Sequence, residues 1–482
     1  MSNGPGHRRE PDSGKSIEIS RESEHRGLGL TSASGLVIGS VVGTGVFTMP
    51  ALIAKAGSVG ILVLVVVSVG SVLLAVLFGQ LTARIANSDG GLYAYVRYEF
   101  GDFAGYLVGW SYWISAWAGN AAIVASWVLY VEALLKLTSP SAPVNCGIAM
   151  VALWVPAVVN LVGVRQMAWF QNATVVLKFL PLLFIGIVGW FFVDGARFSP
   201  FNASGASIYT AIGLAAGVAL FSFIGVEASA ITARRVDNPA RNVGRAAVIG
   251  VGVSALLYVL VTAAVIGLVP HDVLVNTGSP FVDAFERIFA QHVWAGQLIA
   301  AVAVVSGIGA LNGWTLIVAE ASRSMAQDDL FPKAFGWIDR NGNAWFSIVI
   351  AAALPSLLML WRYASSSGLT VFTYLVNLTV VTVAIPYFFS ALAQLTHLLT
   401  RRPVDRWRLG RDLTVAVASL AFSMWLTFAA GYQFVYQGLV VILAGMIGYP
   451  VLVAARPNTD KNAGTRCSGS RCDCGCHRLG QE

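Results

Sequence analysis

Charge is what this sequence has least of. Of its 482 residues only 11% are Asp, Glu, Lys or Arg, against about 25% in soluble domains. A chain this long, folded in water, could not cover its surface with so few charges, which excludes an ordinary soluble enzyme or binding domain. Histidine is also scarce where it would matter. His7, His25, His271, His292, His397 and His477 all fall in tails, loops or the ends of apolar stretches, which argues against haem or metal chemistry inside the apolar segments. The pattern G-x-x-x-x-G-K-[ST] does not occur, so ATP-driven pumping by this chain is not expected. The first 26 residues are polar and contain no apolar h-region, so no cleavable signal peptide is expected. Cysteine is limited to five residues, four of them crowded into the end of the chain.

What the sequence has is apolar length, with 56% of its residues hydrophobic. A membrane-spanning helix needs roughly 20 mostly apolar residues. Such stretches run near 29–53, 58–81, 103–135, 144–164, 170–193, 206–232, 246–268, 293–322, 345–361, 369–395, 413–430 and 433–454. They predict an all-α integral membrane protein of about twelve transmembrane helices. The third stretch is long, as a tilted helix would be, and the last two are separated by only a few residues around Gly431. An even number of spans puts both termini on one side.

Lys and Arg set the orientation. With the termini inside, the outer loops hold only Lys55, Lys136, Arg197, Arg287 and Arg362. Lys178 lies within the fifth span, and the remaining basic residues of the 31 fall inside. The chain is therefore read as multi-pass in the cell membrane with cytoplasmic termini. Its net charge of +7 is explained by loops facing anionic lipid and calls for no nucleic acid. The expected organisation is a cytoplasmic tail over 1–28 and a ten-helix core over 29–395, then a loop and two further helices over 396–454. A Cys-rich cytoplasmic tail over 455–482 completes it.

Two spans break the rules of helix building. The first contains Gly39-Ser40-Val41-Val42-Gly43-Thr44-Gly45, and each glycine costs a helix about 1 kcal/mol relative to alanine. The sixth contains Phe221-Ser222-Phe223-Ile224-Gly225-Val226-Glu227, a glycine and a carboxylate deep in apolar sequence. Unwound backbone survives at membrane depth only where it lines a cavity or is buried in protein. Broken helices at corresponding places in two halves point to a transporter's substrate site. The halves here would be 29–193 and 206–395. Glycines that merely let helices pack closely are the competing explanation. If the first span unwinds, the N–H groups of Gly43, Thr44 and Gly45 suit a substrate carboxylate. Unpaired carbonyls around Phe221 to Ile224 suit an ammonium, so the pair makes a receptor for an amino-acid zwitterion.

The runs GSVVGTGVFTMP, GGLYAYVRYEFG, FSFIGVEASA, DNPARNV and GWTL…DDLFP resemble the amino acid–polyamine–organocation superfamily. Within it they resemble the basic amino-acid and polyamine antiporters, the arginine:agmatine exchangers above all. The resemblance runs from about Gly27 to Pro386. It implies two inverted five-helix repeats with broken first and sixth helices, followed by two trailing helices. It implies that Thr44 helps hold a carboxylate and that Ser222 and Ile224 lie on the unwound sixth span. It places Phe221 at an aromatic gate where the arginine exchangers have tryptophan. It sets Tyr112 and Asn120 on the third-span side of the pocket and Trp314 against the substrate's side chain, and it links Glu227 to proton sensitivity. Ser40, Ala116 and Ile123 depart from the family's asparagine, cysteine and methionine, so the zwitterion receptor is kept and the side-chain pocket differs.

The expected function is secondary active transport without a cofactor: exchange of cationic amino acids and/or their amines by alternating access. A proton-coupled symporter of neutral amino acids is the alternative, and a membrane enzyme or sensor ranks below both. Amino-acid or amine substrate and membrane lipid are the expected partners, and a homodimer is left open. In the tail, Cys467, Cys472, Cys474, Cys476 and His477 could ligate Zn²⁺ or Cu(I). Their spacing is tighter than a structural zinc finger's, and a disordered tail with reduced thiols is the simpler reading.

Overall fold

The computed structural model describes residues 29–454, apart from 44, 86–90, 139, 163–166, 232, 234, 235, 341, 365–367 and 402–405. Thr44 and the Cys-rich tail therefore lie outside the described residues. All the described regular elements are helices.

The chain opens with two short helices, α1 (Leu30–Val41) and α2 (Gly45–Ala54), which meet at a 52° bend. Next come α3 (Val59–Arg84), α4 (Leu92–Phe100), α5 (Asp102–Leu135), α6 (Ala142–Val162) and α7 (Met167–Ile187). A second interrupted pair follows, α8 (Ile208–Phe223) and α9 (Ala228–Ile231), and then α10 (Pro239–Leu268). Two short helices, α11 (His271–Leu274) and α12 (Pro280–Ile288), lead into α13 (Val293–Gln327). The chain closes with α14 (Trp345–Tyr363), α15 (Gly368–Thr400), α16 (Arg406–Ala429) and α17 (Tyr432–Ala454). Among the described residues nine helices are long and apolar enough to cross a membrane, and the bent pair α1–α2 makes up to ten. α7 and α8 are apolar but shorter.

Length and composition explain these elements. α3 is a run of Val, Leu, Ile and Gly ending in Arg84; at 1.5 Å per residue it is about 39 Å long, more than a bilayer's ~30 Å of hydrocarbon. α5 has 34 residues, and its extra length places it at the centre of the bundle, packed against α15 and α13. It starts after Gly101 at φ +82 and stops where Lys136 turns left-handed at φ +53. α10 begins at Pro239 rather than near 246, because a proline at the first helical position fits the helix and the polar turn after it continues the spanning segment outward.

Polar ties cross the bundle at the end where α3 and α13 finish. The α4 helix lies along that end. Its Tyr95 bonds Thr82 of α3 at 2.7 Å, and Arg97 and Tyr93 reach Asp328 at the end of α13 at 3.2 and 3.0 Å. Glu99 meets His397 of α15 at 2.7 Å. Asp412 of α16 is buried; it takes Arg84 as an ion pair and the Gln80 amide at 2.9 Å. A buried carboxylate stays stable only when its oxygens are paired in this way.

Candidate functional site

Both interrupted pairs lose their helix where the sequence concentrates glycine. In the first, Val42 leaves helical geometry at ψ 81 and Gly43 follows without regular structure. In the second, Ile224 is extended at ψ 129 and Gly225 takes φ +114. A Cβ at Gly225 would lie 2.9 Å from the Ser40 carbonyl oxygen, so glycine is required there both for the dihedral and for close approach of the other broken helix.

The unwound backbone finds partners from neighbouring elements. The Ser40 hydroxyl reaches the carbonyls of Val37 at 2.9 Å and Gly225 at 3.2 Å, joining the two breaks. Tyr258 on α10 donates to the Val41 carbonyl at 2.9 Å. Lys178 on α7 donates from Nζ to the Gly39 carbonyl at 2.9 Å and is 2% exposed. Three side chains, through four hydrogen bonds, thus supply what lipid cannot. The outer piece α2 is held to α5, with the Thr48 and Ser126 hydroxyls 2.6 Å apart and Tyr130 donating to the Phe47 carbonyl at 2.8 Å.

A cavity lies between the breaks. Gly43, Gly45, Phe221, Ser222, Ile224 and Trp314, all singled out in the sequence, line it. So do Ser40, Ala116 and Ile123, three of the positions that depart from the family pattern. Ser115, Gly119, Tyr258 and Thr379 complete the polar and small walls, and nothing in the sequence marked them, since each is an ordinary small or polar residue in an apolar helix. No formally charged side chain is among the lining residues. Only about 30 Å³ is open to the centre of a water-sized sphere, room for about two waters. The walls must part before anything larger fits. The ring of Phe221 lies over Gly45, where an added Cβ would be 2.7 Å from it, and stands edge-on to Phe372 at 6.0 Å.

The charge that the walls lack is supplied by backbone. The first N–H groups of a helix have no intrahelical acceptor, so the start of α2 at Gly45 presents donors and a partial positive charge to the cavity. The last carbonyls of α8 are the converse. The Phe221 and Phe223 carbonyls accept the N–H groups of Ile224 and Val226, each at 3.2 Å.

Tyr112, Asn120 and Glu227 are not on the cavity wall. The Tyr112 hydroxyl turns to Glu227 and donates to Oε1 at 3.0 Å. Tyr387 of α15 donates to Oε2 at 2.9 Å, and the Gly225 N–H does so at 3.2 Å. Glu227 is fully buried behind the second break. Tyr387 escaped sequence reasoning because it is distant in the chain and sits in an unremarkable aromatic stretch. Asn120 follows the cavity-lining Gly119 and is 1% exposed. Neither its amide nitrogen nor its oxygen has a partner among the described residues.

The sequence model of amino acid permeases, "Amino acid permease", matches residues 28–455. The chain belongs to the amino acid permease family. As such it is a membrane transporter and not an enzyme. It is 29% identical over 424 residues to the putrescine transporter PotE of Haemophilus influenzae, covering 88% of this chain and 96% of that one. It is 29% identical over 376 residues to the cadaverine/lysine antiporter of Escherichia coli strain K12, covering 77% and 83%. Among solved structures it is similar in fold to Mhp1, a nucleobase-cation-symport-1 family transporter in a closed conformation with bromovinylhydantoin bound. The TM-score is 0.52, the identity 13%, and the match covers 87% of this permease and 97% of that chain.

Proposed function

We propose that this permease exchanges cationic amino acids and their decarboxylated amines by alternating access. The observation that carries this reading is the cavity wall. It joins the start of a half-helix and the end of another to the aromatic faces of Phe221 and Trp314. A carboxylate suits the N–H groups at Gly45, with Thr44 beside them. An ammonium suits the carbonyl end of α8. A cationic side chain gains from an indole face by about 0.5–2 kcal/mol. The relatives named for putrescine and for cadaverine and lysine support a substrate of this class.

The two breaks fall five spans apart, which supports paired five-helix repeats over 29–193 and 206–395 within a twelve-span bundle. The asymmetry of Lys and Arg supports cytoplasmic termini. Outward-facing apolar side chains on α16 and α17, such as Phe428 and Ile447, give a homodimer a surface.

The test is counterflow. Purified protein in vesicles preloaded with lysine should take up labelled cadaverine or putrescine, and empty vesicles should not. Equal uptake into empty vesicles would sink the exchange reading. Thr44→Val should weaken lysine binding about tenfold to a hundredfold, the worth of one hydrogen bond to a charged group, and leave the amine nearly unchanged. Equal losses for both would remove Thr44 from carboxylate binding.

A further inference from the structure

The nine-residue helix α4 lies across one end of the bundle and is tied there to three spans. Tyr95 holds it to α3 through Thr82. Arg97 and Tyr93 hold it to the end of α13 through Asp328. Glu99 holds it to α15 through His397. The Glu99–His397 pair is 2.7 Å long and largely covered, with 7% and 14% of the two side chains exposed. Such cover keeps out salt and water, so the pair is screened less than an ion pair on an open surface. The same helix α15 runs to the substrate cavity. Thr379 lines that cavity, and Tyr387 bonds Glu227. His397 lies about 27 Å beyond Thr379 at 1.5 Å per residue. Pro386 stands between them; a proline removes one helix hydrogen bond and gives the helix a place to bend. Any opening of the pathway at this end has to loosen spans that α4 bridges.

Of the side chains in these three ties, only the imidazole ordinarily changes charge between pH 5 and 8. The guanidiniums around it keep their charge. Arg97 of α4 is paired with Asp102 of α5 as well as with Asp328. Arg84 of α3 and Arg411 of α16 share Asp412. Arg401, at the end of α15, lies over the Tyr98 ring of α4 and acts on Glu99. Arg406 and Arg408 stand at the start of α16. His271 and His292, the other histidines among the described residues, lie at the opposite end, after α10 and before α13.

We propose that the Glu99–His397 pair is a proton-controlled latch on this end of the transport pathway. With His397 charged, an ion pair binds α4 to α15 and holds the end shut. With His397 neutral, only a hydrogen bond from the imidazole Nδ1–H to the carboxylate remains, and the end opens more readily. Acid on this side therefore slows opening there. The latch is distinct from Glu227, which meets α15 through Tyr387, about 15 Å back along the helix. It rests on alternating access and not on the choice of substrate.

Hydrogen–deuterium exchange with mass spectrometry on the purified full chain reads the latch, at about pH 6 and about pH 8, with amide exchange corrected for its own pH dependence. The α4 amides of the wild type should be about fivefold better protected at the lower pH, the gap between a neutral hydrogen bond and one to a charged group. His397→Gln keeps a donor for Glu99 but never charges, so its protection should be the same at both values and match the wild type's at the higher pH. His397→Lys is charged at both, so its protection at the higher pH should rise to the wild type's at the lower. A purely structural contact would show no such opposition between the two variants. In vesicles at the higher pH, His397→Lys should exchange substrate several-fold more slowly than the wild type. Wild-type protection that ignores pH, or a pH dependence that survives in His397→Gln, overturns the latch. So does a folded His397→Lys that exchanges at the wild-type rate. If that variant does not fold, His397→Gln decides alone. The expected protection pattern in a wild type that shows no counterflow would support the latch and sink the exchange reading instead.

Discussion

α1–α2 and α17 carry similar glycine and proline but behave in opposite ways. The first pair has Gly35, Gly39, Gly43, Gly45 and Pro50; α17 has Gly438, Gly445, Gly448 and Pro450. The first breaks and the second runs unbroken for 23 residues. The difference lies in the surroundings. The break in the first pair meets Ser40, Tyr258 and Lys178, which satisfy the freed carbonyls. α17 is almost entirely outward-facing, so most of its backbone has lipid beside it, which could not replace its own hydrogen bonds. Its glycines serve contact instead. A Cβ at Gly445 would lie 2.5 Å from the Trp110 indole and one at Gly448 3.0 Å from the Tyr106 hydroxyl. Those side chains donate to α17 carbonyls, Trp110 to Val441 at 3.0 Å and Tyr106 to Gly445 at 2.8 Å. Glycine permits a break or a close contact, and the partners within reach decide which.

The sharpest way to break this comparison is Gly225→Ala. A side chain at φ +114 against the Ser40 carbonyl costs about 1–3 kcal/mol, so exchange should fall about tenfold to a hundredfold in protein that still elutes as a folded species. Wild-type exchange in this variant would mean that the second break is not needed in its observed form. Next in size is Trp314→Leu. With a cationic substrate, affinity should drop about tenfold; a smaller loss that follows apolar contact area would point to neutral substrates. Glu227→Gln keeps the size but not the titrating carboxyl; its oxygen can accept from Tyr387 and the Gly225 N–H while its amide NH2 donates to the Tyr112 hydroxyl. Its exchange rate should depend less on pH than the wild type's, and an unaltered profile would take Glu227 out of the proton-sensing role. The smallest effect on transport is expected from Gly445→Val. Overpacking against Trp110 should lower thermal stability, about 1–3 kcal/mol, while surviving protein exchanges within about twofold of wild type. A transport loss like that of Gly225→Ala would show that the glycines of α17 and of the breaks do the same work.

Of the twelve spans expected, nine to ten are long and apolar enough among the described residues, and these were legible because apolar length is dictated by the bilayer rather than by partners. The breaks were legible for a weaker reason: glycine content alone would have flagged α17 equally, and only the matched spacing and the buried Glu227 separated the two. Short elements were missed. The α4 and α12 helices have nine residues each, too few to show a period, and they are held by contacts such as Glu99–His397 and Phe281–Phe47 that join distant parts of the chain. The cavity wall was readable where it is backbone, at Gly43, Gly45 and Ile224, and unreadable where it depends on pairing. Tyr112 was expected beside the substrate, yet its hydroxyl is taken by Glu227. Lys178 was given no role, because a lysine in an apolar helix reads the same whether it reaches for water or for a carbonyl.

The Ser40–Gly225 contact joins residues 185 positions apart, and that distance is also a delay. At 5–20 residues per second a ribosome needs roughly 10–40 s to make the intervening chain. Until then the first break has no carbonyl from the sixth span to accept the Ser40 hydroxyl, and an early kink would leave polar backbone facing lipid. The expected order of assembly is a straight first helix during synthesis, kinked only after α8 has inserted. A cysteine at position 43 should therefore resist a water-soluble maleimide in chains stalled before residue 206 and react in the finished protein; equal reactivity in both would mean that the kink forms on its own.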